Sequence, residues 1–141
     1  MASLVLQVQQ AARLFDRMLD PMLEEIGVLS ADVPVLVVAA GRRGVTLSEL
    51  KEAFGYRPST LSVILRRLEE IGYVRRSREA PDGRVVIVRA TGVGATAGRV
   101  ALARIQLIEH RIALRAGEGG VAGAFAVLDA SRSIRRPTRY D

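Results

Sequence analysis

The sequence predicts a mainly α-helical fold with one small β-hairpin, of the α+β class, and three observations support this. Residues 46–54 and 59–71 have the apolar spacing of two short helices, and the turn residues 55–58 separate them. A run of β-branched residues at 85–88 follows the turn sequence 80–83, which indicates a hairpin. Apolar residues recur every three or four positions towards both ends of the chain, which indicates two longer helical regions.

Positive charge is concentrated in the middle and the C-terminal part of the chain. The formal net charge is +6, and every basic residue except Lys51 is an arginine. Residues 1–41 carry a net −3, residues 42–89 a net +5 and residues 90–141 a net +4. Such a focused field is typical of a surface that binds a polyanion. The absence of cysteine excludes disulfides and thiolate metal sites.

The N-terminal segment, residues 1–29, is predicted to form a long amphipathic helix. Its apolar stripe consists of Leu4, Val8, Ala11, Phe15, Met18, Met22 and Ile26. A stripe this broad at the start of a chain favours packing against a partner chain, and packing within the protein's own core remains the alternative. Pro21 is expected to kink or end the helix, and Gly27 to stop it.

The next segment, residues 33–40, is almost wholly apolar, and its periodicity fits a buried helix or a buried strand equally well. Pro34 in a first turn, with Ser30 or Asp32 as N-cap, favours the helix. The following helix, at 46–54, begins with the capping-box residues Thr46 and Glu49. Its predicted buried residues are Leu47, Leu50 and Phe54.

The second short helix is predicted to begin near Pro58 and to present one side to a partner. Its buried stripe consists of Leu61, Ile64, Leu65, Leu68 and Ile71. The opposite side carries Ser59, Thr60, Ser62, Val63, Arg66 and Arg67. Small polar side chains allow close approach to base edges, and arginines can contact bases or phosphates. Helix, tight turn, helix and basic hairpin together predict a winged helix-turn-helix that presents this helix to a DNA groove.

The C-terminal region is predicted to form two helices. Val100, Leu102, Ile105, Ile108 and Ile112 mark a helix from 99 to 115, with a start weakened by glycines at 92, 94 and 98. Glycines at 117, 119 and 120 break it before a short helix at 121–130. The predicted organisation is an N-terminal dimerisation helix (1–29), a winged helix-turn-helix domain (30–91), C-terminal dimerisation helices (92–131) and a flexible basic tail (132–141).

The segment from Leu47 to Thr91 resembles the MarR family of bacterial and archaeal transcriptional regulators. The matching residues are Pro58-Ser59-Thr60-Leu61-Ser62, Leu65-Arg66-Arg67-Leu68-Glu69, Gly72-Tyr73-Val74, Asp82-Gly83-Arg84, Ala90-Thr91 and Gly94. The resemblance also extends upstream, through Phe15-Asp16-Arg17 and Met22-Leu23 to the helix at Val33, and covers about residues 10–115. Arg57 departs from the family pattern, which commonly has a small capping residue there.

The resemblance implies a homodimer that binds double-stranded DNA at a palindromic operator, with half-sites about 34–36 Å apart. It further implies that the protein is a repressor and that a small aromatic or anionic effector releases it from DNA. It also implies that Arg84 enters the minor groove and that Asp82 holds it in place through a salt bridge. The expected recognition-helix contacts are Arg57, Ser59, Thr60, Ser62, Val63, Arg66 and Arg67. The expected wing contacts are Arg75, Arg76, Arg78, Asp82 and Arg84. The expected dimer contacts are Leu4, Val8, Ala11, Phe15, Ile105, Ile108, Ile112 and Phe125.

An enzyme is not expected, because the chain has no constellation of catalytic groups. His110 is the single histidine, and adjacent pairs such as Glu69-Glu70 point in different directions on a helix. No catalytic residue, metal site or cofactor is therefore predicted. The absence of a signal-like or membrane-length apolar stretch predicts a cytoplasmic protein. The alternative function is a winged-helix module that binds protein without sequence-specific DNA binding, although Arg66, Arg67 and Arg84 argue against it.

Overall fold

The structure is a computed structural model that describes residues 3–134, and it confirms the mainly helical fold with a small hairpin. Within these residues the chain forms five α-helices and one three-stranded antiparallel sheet. In chain order these elements are α1 (Leu4–Leu23), α2 (Val33–Gly41), β1 (Val45–Thr46), α3 (Leu47–Phe54), α4 (Pro58–Glu70), β2 (Val74–Glu79), β3 (Val85–Ala90) and α5 (Gly92–Ser133). Contacts divide the chain into two compact units, with the boundary after Ile105.

The apolar segment after residue 32 is a helix, α2, and it lies in the core of the first unit. Val35, Leu36 and Ala39 are completely buried, which explains why the segment has no polar face. Pro34 lies in the first turn, as predicted. Asp32, one of the two residues predicted as N-cap, occupies the N-cap position, but its side chain makes no capping hydrogen bond. The Asp32 carboxylate instead accepts hydrogen bonds from α4.

The predicted capping box at the start of α3 is confirmed. The Glu49 amide donates to Thr46 Oγ1 at 3.1 Å, and the Thr46 amide donates to the Glu49 carboxylate at 2.7 Å. Leu50 is fully buried. The predicted burial of Phe54 is wrong, because α3 ends there and Gly55, with φ of 66°, turns the chain away. Phe54 is 41% exposed and lies against the ring of Tyr56 at 5.6 Å between centroids.

The capping box makes the stability of this protein depend on pH in the acid range. The hydrogen bond from the Thr46 amide lowers the pKa of Glu49 below its ordinary value of 4.5. A depressed pKa stabilises the fold above the unfolded-state pKa, and that contribution is lost as pH falls through the folded-state pKa. We expect Glu49→Gln to be less stable than the wild type near pH 7, and this difference in stability to shrink as the pH falls towards 3. Urea unfolding at both pH values measures this, and a pH-independent difference would refute it.

The buried stripe of α4 is confirmed at all but its last position. Four of its apolar side chains are almost fully buried, namely Leu61, Ile64, Leu65 and Leu68. Ile71 was predicted to continue the stripe, and this is wrong. It follows the last residue of the helix, Glu70, and its side chain is exposed. The buried stripe fixes α4 against the core, so its opposite side is presented outwards.

The hairpin forms a sheet with a third strand that its sequence did not predict. β2 and β3 pair along their full length, with Arg76 opposite Val88 and Arg78 opposite Val86. β1 pairs with the other edge of β3, so the strand order is β1-β3-β2. β1 has only two residues, which is too short to show an alternating pattern. Val74 and Val88 attach the sheet to the core through one of its faces.

α1 runs through Pro21 to Leu23, so the helix end expected from the proline comes two residues later. A 3-10 helix, Glu24–Ile26, continues the chain, and Gly27 ends it with φ of 65°. The stop predicted at Gly27 is therefore confirmed.

α5 begins at Gly92, so the three glycines that were predicted to weaken the helix start lie inside the helix. The expected break is confirmed at Gly117, where φ is 69° and ψ is 171°. Gly119 and Gly120 remain helical. The helix continues to Ser133, so Arg132 and Ser133 of the predicted flexible tail are helical, and residues 135–141 of that tail lie outside the described residues.

Candidate nucleic-acid interface

The outward side of α4 forms the centre of the site. Because α4 buries one stripe of leucine and isoleucine, the intervening positions face away from the core. All five of these side chains are exposed: Ser59, Thr60, Ser62, Val63 and Arg66. Four of the five are short, so a flat or grooved polymer could approach the helix backbone closely along its first two turns. These five residues were predicted to lie opposite the buried stripe, and their exposure agrees with that prediction.

Arg57 occupies the N-cap position of α4. Its backbone is extended, with φ of −70° and ψ of 146°, and Pro58 follows as the first helical residue. No side chain caps this end of the helix, as expected for an arginine at the cap position. The exposed Arg57 side chain adds positive charge beside the helix start, where the helix dipole is also positive.

Arg67 was predicted to contact the groove, and the structure corrects this. Its Nε lies 3.2 Å from both carboxylate oxygens of Asp32, and one terminal nitrogen lies 2.5 Å from Oδ1. Asp32 is 2% exposed, whereas the Arg67 side chain retains 39% of its exposure. Hydrogen bonding to Asp32 raises the pKa of Arg67. Arg67 therefore fastens α4 to the residue that precedes α2, and its guanidinium faces inwards.

One face of the hairpin is turned towards α4. Arg76 lies on this face and pairs with Glu69 near the end of α4, with a second contact of 3.1 Å to Glu69 Oε2. Its predicted role in groove contact is corrected, since it connects the wing to the helix. Arg78 shares the face, because side chains two residues apart on a strand point the same way. Arg78 is exposed and has no carboxylate partner among residues 3–134.

The opposite face of the hairpin carries a separate charge network. Arg89 donates to Ser77 Oγ at 2.9 Å and to the two carboxylate oxygens of Glu79 at 2.5 and 3.2 Å. The hydrogen bond from Arg89 is the main cause of the lowered pKa of Glu79. Arg75 lies on this same face, two residues before Ser77. The structure therefore places Arg75 on the side away from α4, and its predicted contact with DNA as part of the wing stays a prediction.

The wing tip holds the ion pair that the resemblance implies. Arg84 Nε lies 2.9 Å from Asp82 Oδ2, and the Arg84 amide donates to Asp82 Oδ1 at 3.2 Å. Gly83 between them has φ of 65°, a conformation that glycine adopts without strain. The Arg84 side chain is 85% exposed. Asp82 therefore restricts the orientation of Arg84 while its outer edge stays open to solvent.

The predicted dimer residues divide into exposed and buried groups. Six retain an accessible surface: Leu4, Val8, Ala11, Phe15, Ile112 and Phe125. Ile105 is partly buried against the core of its own unit, and Ile108 is 5% exposed within the single chain. Ile108 therefore has little surface left for a partner, whereas the predicted contact of Ile105 stays a prediction.

The carboxylate partners of Arg67 and Arg76 were not predicted from the sequence. Asp32 and Arg67 are 35 residues apart, and no local spacing connects them. Glu69 and Arg76 are seven residues apart, and their pairing joins the end of α4 to β2. Of the arginines predicted to contact DNA, Arg57, Arg66, Arg75 and Arg78 have no carboxylate partner among the residues described. Arg57 lies at the start of α4, Arg66 on its outward side and Arg78 on the wing face turned towards it, whereas Arg75 lies on the opposite face of the wing.

The part of the chain that the structure describes contains no cluster of three or more acidic or histidine side chains that could hold a metal ion. Nor does any helix in it combine the length and apolarity needed to cross a membrane.

A three-stranded sheet with a protruding hairpin, next to a helix-turn-helix whose second helix faces outwards, defines a winged helix-turn-helix protein. The sequence profile of the MarR family matches residues 26–85, which include α2, α3, α4 and most of the hairpin. Over this segment the chain is therefore of the MarR-family type.

Known proteins share this fold over most of the chain. The HTH-type transcriptional regulator TtmR of Methylorubrum extorquens (strain PA1) is 31% identical over 93 residues, or 66% of this chain. That match spans about half of TtmR, 48% of its length. The reduced form of MarR from E. coli is 23% identical, with a TM-score of 0.74 over 93% of this chain and 97% of that one. S. aureus MepR, in a DNA complex, is 18% identical, with a TM-score of 0.84 over 94% and 98% of the two chains.

Proposed function

We propose that this protein is a sequence-specific DNA-binding transcriptional regulator. The observation that carries the proposal is the exposed side of α4, which bears short polar side chains and Arg66, together with a wing that packs on the end of α4 and presents Arg84 at its tip. A helix with this surface fits the major groove of DNA, and a hairpin beside it can contact the adjacent minor groove. The DNA complex of MepR, which has the same fold, supports this assignment.

Individual residues are proposed to act in different ways at this interface. Ser59, Thr60, Ser62 and Val63 contact base edges, and Val63 fits an apolar group such as a thymine methyl. Arg66 suits a bidentate contact to guanine. Arg57 and Arg78 contact phosphates, which contributes affinity without selecting a sequence. Arg84 enters the minor groove, which attracts arginine most strongly where A·T pairs make it narrow.

We further propose that the protein binds a palindromic operator as a homodimer. α1 supports this, because its apolar stripe remains exposed in the single chain at Leu4, Val8 and Phe15. An exposed apolar surface of this kind is typical of a protein interface. Two copies related by a two-fold axis would place their α4 helices in successive major grooves. A stable monomer in sedimentation equilibrium would contradict the dimer.

Repression released by an anionic or aromatic effector is the proposed mode of regulation. An open depression of about 360 Å³ lies where α1 ends, lined by Pro21, Met22, Glu24, Glu25 and Arg104. Arg104 pairs with Glu25 there, so an anionic effector would have to displace that carboxylate. Such a displacement would loosen the contact between the end of α1 and α5 within the first unit.

Arg84→Ala is expected to weaken operator binding by about 1–3 kcal/mol, because it removes one groove contact. Since the side chain is 85% exposed, the melting temperature should not change. Arg75→Ala is the matched control: it removes the same charge from the same hairpin, on the face away from α4. Fluorescence anisotropy with an operator duplex measures both, and equal losses for the two variants would contradict the wing assignment.

The salt dependence of binding separates this function from a protein-binding module. Displacement of counterions by several arginines makes the logarithm of the affinity fall linearly with the logarithm of salt concentration. We expect the affinity of the wild type to fall steeply as the salt concentration rises. For Arg78→Ala we expect the slope of this logarithmic plot to be smaller in magnitude by about one. A flat response would favour the module without sequence-specific DNA binding.

A further inference from the structure

Tyr73 connects the end of α4 to the end of α1. It follows Gly72, which has φ of 84°, directly after the helix. Its ring is buried, and its hydroxyl donates a hydrogen bond of 2.7 Å to the carbonyl of Ile26. Ile26 belongs to the 3-10 helix that continues α1. One phenol thus bridges two elements that are 47 residues apart in the chain.

The start of α5 is hydrogen-bonded to the same segment, Gly72-Tyr73. The Thr91 hydroxyl donates to the Gly72 carbonyl at 2.6 Å and accepts from the Gly94 amide at 3.0 Å. The Thr91 amide donates to the Tyr73 carbonyl at 3.0 Å. A Cβ at Gly94 would lie 1.8 Å from that carbonyl oxygen, so α5 begins against the backbone of Tyr73. No side chain larger than hydrogen fits at this position without a shift.

A third connection closes the arrangement. Arg104, in the part of α5 that belongs to the first unit, pairs with Glu25 of the 3-10 helix. Tyr73 therefore joins the end of α4 to the end of α1, Thr91 joins the end of α4 to the start of α5, and Arg104 joins α5 to the end of α1. A closed triangle of contacts restricts the angles between its three members, whereas an open chain of contacts would leave one of them free. We call this triangle the joint.

We propose that Tyr73 is a positioning residue that sets the operator half-site spacing this protein accepts. The proposal rests on the proposed dimeric DNA-binding function. In that function α1 contributes the surface between the two copies, and α4 enters the DNA groove. The joint then fixes the orientation of α4 relative to the dimer axis, because Tyr73 bonds directly to the continuation of α1. Tyr73 itself contacts no DNA.

The test compares Tyr73→Phe with the wild type on operators that differ only in the spacing between half-sites. The probes are the wild type's selected inverted repeat, the same duplex with one base pair inserted or deleted at its centre, and a single half-site. The variant keeps the buried ring and loses the hydroxyl. Discrimination is the ratio of the affinity for the correct spacing to the affinity for an altered spacing. We expect this ratio to fall about fivefold in Tyr73→Phe, since one neutral hydrogen bond changes an equilibrium constant by about that factor. Its single-half-site affinity should match the wild type.

Tyr56→Phe is the matched control. Tyr56 is half-buried, and its hydroxyl has no hydrogen-bond partner among residues 3–134, so its spacing discrimination should equal that of the wild type. Thr91→Val removes the second hydroxyl of the joint and should reduce discrimination as Tyr73→Phe does. Unchanged discrimination in Tyr73→Phe, or an equal loss on every duplex, would overturn the positioning role and leave the proposed function standing. A wild type that enriches no sequence in the selection would overturn the proposed function itself.

Discussion

Replacing Arg67 by methionine is expected to lower the free energy of unfolding by about 3 kcal/mol. The substitution removes the guanidinium that accounts for the hydrogen bonds to Asp32, which is 2% exposed, and leaves a buried carboxylate without compensation. Breaking a buried ion pair in this way costs about 3–5 kcal/mol. The lower end applies here because the Arg67 side chain keeps 39% of its exposure, so solvent already screens part of the pair.

Two controls make this prediction specific. Arg76→Met breaks the more exposed pair with Glu69 and should cost at most about 1 kcal/mol. The double variant Asp32→Leu/Arg67→Met should recover most of the stability lost in Arg67→Met, because it removes the unpaired charge. Chemical denaturation measures all three. If Arg67→Met were as stable as Arg76→Met, the inward-facing role of Arg67 would be wrong and its predicted contact with DNA would be restored.

Gly94→Ala is expected to destabilise the protein by about 3 kcal/mol, the upper end of the usual cost of adding a group to a packed site. The added Cβ would lie 1.8 Å from the Tyr73 carbonyl oxygen and 2.8 Å from its Cα. Both are backbone atoms, so a side-chain rotation cannot relieve the overlap. The start of α5 would have to move away from Gly72, and the bonds that Thr91 makes there would be strained or broken.

Gly92→Ala is the control for this variant. It adds the same methyl group two residues earlier in α5, where no atom lies within 4 Å of the new Cβ. Its stability should equal that of the wild type or exceed it by up to about 1 kcal/mol, since alanine favours a helix over glycine. Equal effects of the two substitutions in thermal unfolding would mean that the contact between Gly94 and Tyr73 does not constrain the fold.

The parts of the fold that the sequence predicted correctly depend on neighbouring residues. Thr46 and Glu49 are three positions apart, and the capping box they form needs no knowledge of the rest of the chain. The buried stripe of α4 follows from helical periodicity alone. Asp82 and Arg84 are separated by one residue, and their ion pair forms within the turn. The exposed side of α4 was predictable for the same reason, because it is the complement of the buried stripe.

The parts that the sequence did not predict depend on contacts between distant segments. Arg67 looks equivalent to Arg66 in sequence, and only the position of Asp32 distinguishes an inward arginine from an outward one. Gly94 and Gly98 were interpreted as residues that weaken a helix start. In the structure they permit close approach, since a Cβ at Gly98 would lie 2.4 Å from that of Ala40. β1 is a strand only because β3 lies beside it.

Several arginines of the helix and the hairpin bind carboxylates of the protein itself, so fewer of them are available to contact DNA. Arg67 and Arg76 connect α4 to the core and to the wing, and Arg89 stabilises the far face of the hairpin. The net +5 of residues 42–89 already subtracts Glu69 and Glu79, so these ion pairs decide which arginines are available to a DNA partner more than they change the total charge. Specificity is then expected to come from a few exposed side chains on α4 and from the wing tip.

Selection of bound duplexes from a random DNA pool tests the central claim most directly. A dimeric protein that presents α4 to the major groove should enrich an inverted repeat, with half-site centres about 34–36 Å apart, one turn of the double helix. Such a repeat would establish sequence-specific DNA binding and two-fold symmetry in one experiment. A pool that remains random after repeated rounds at physiological salt would contradict the account, and an enriched sequence without internal symmetry would contradict its dimeric part.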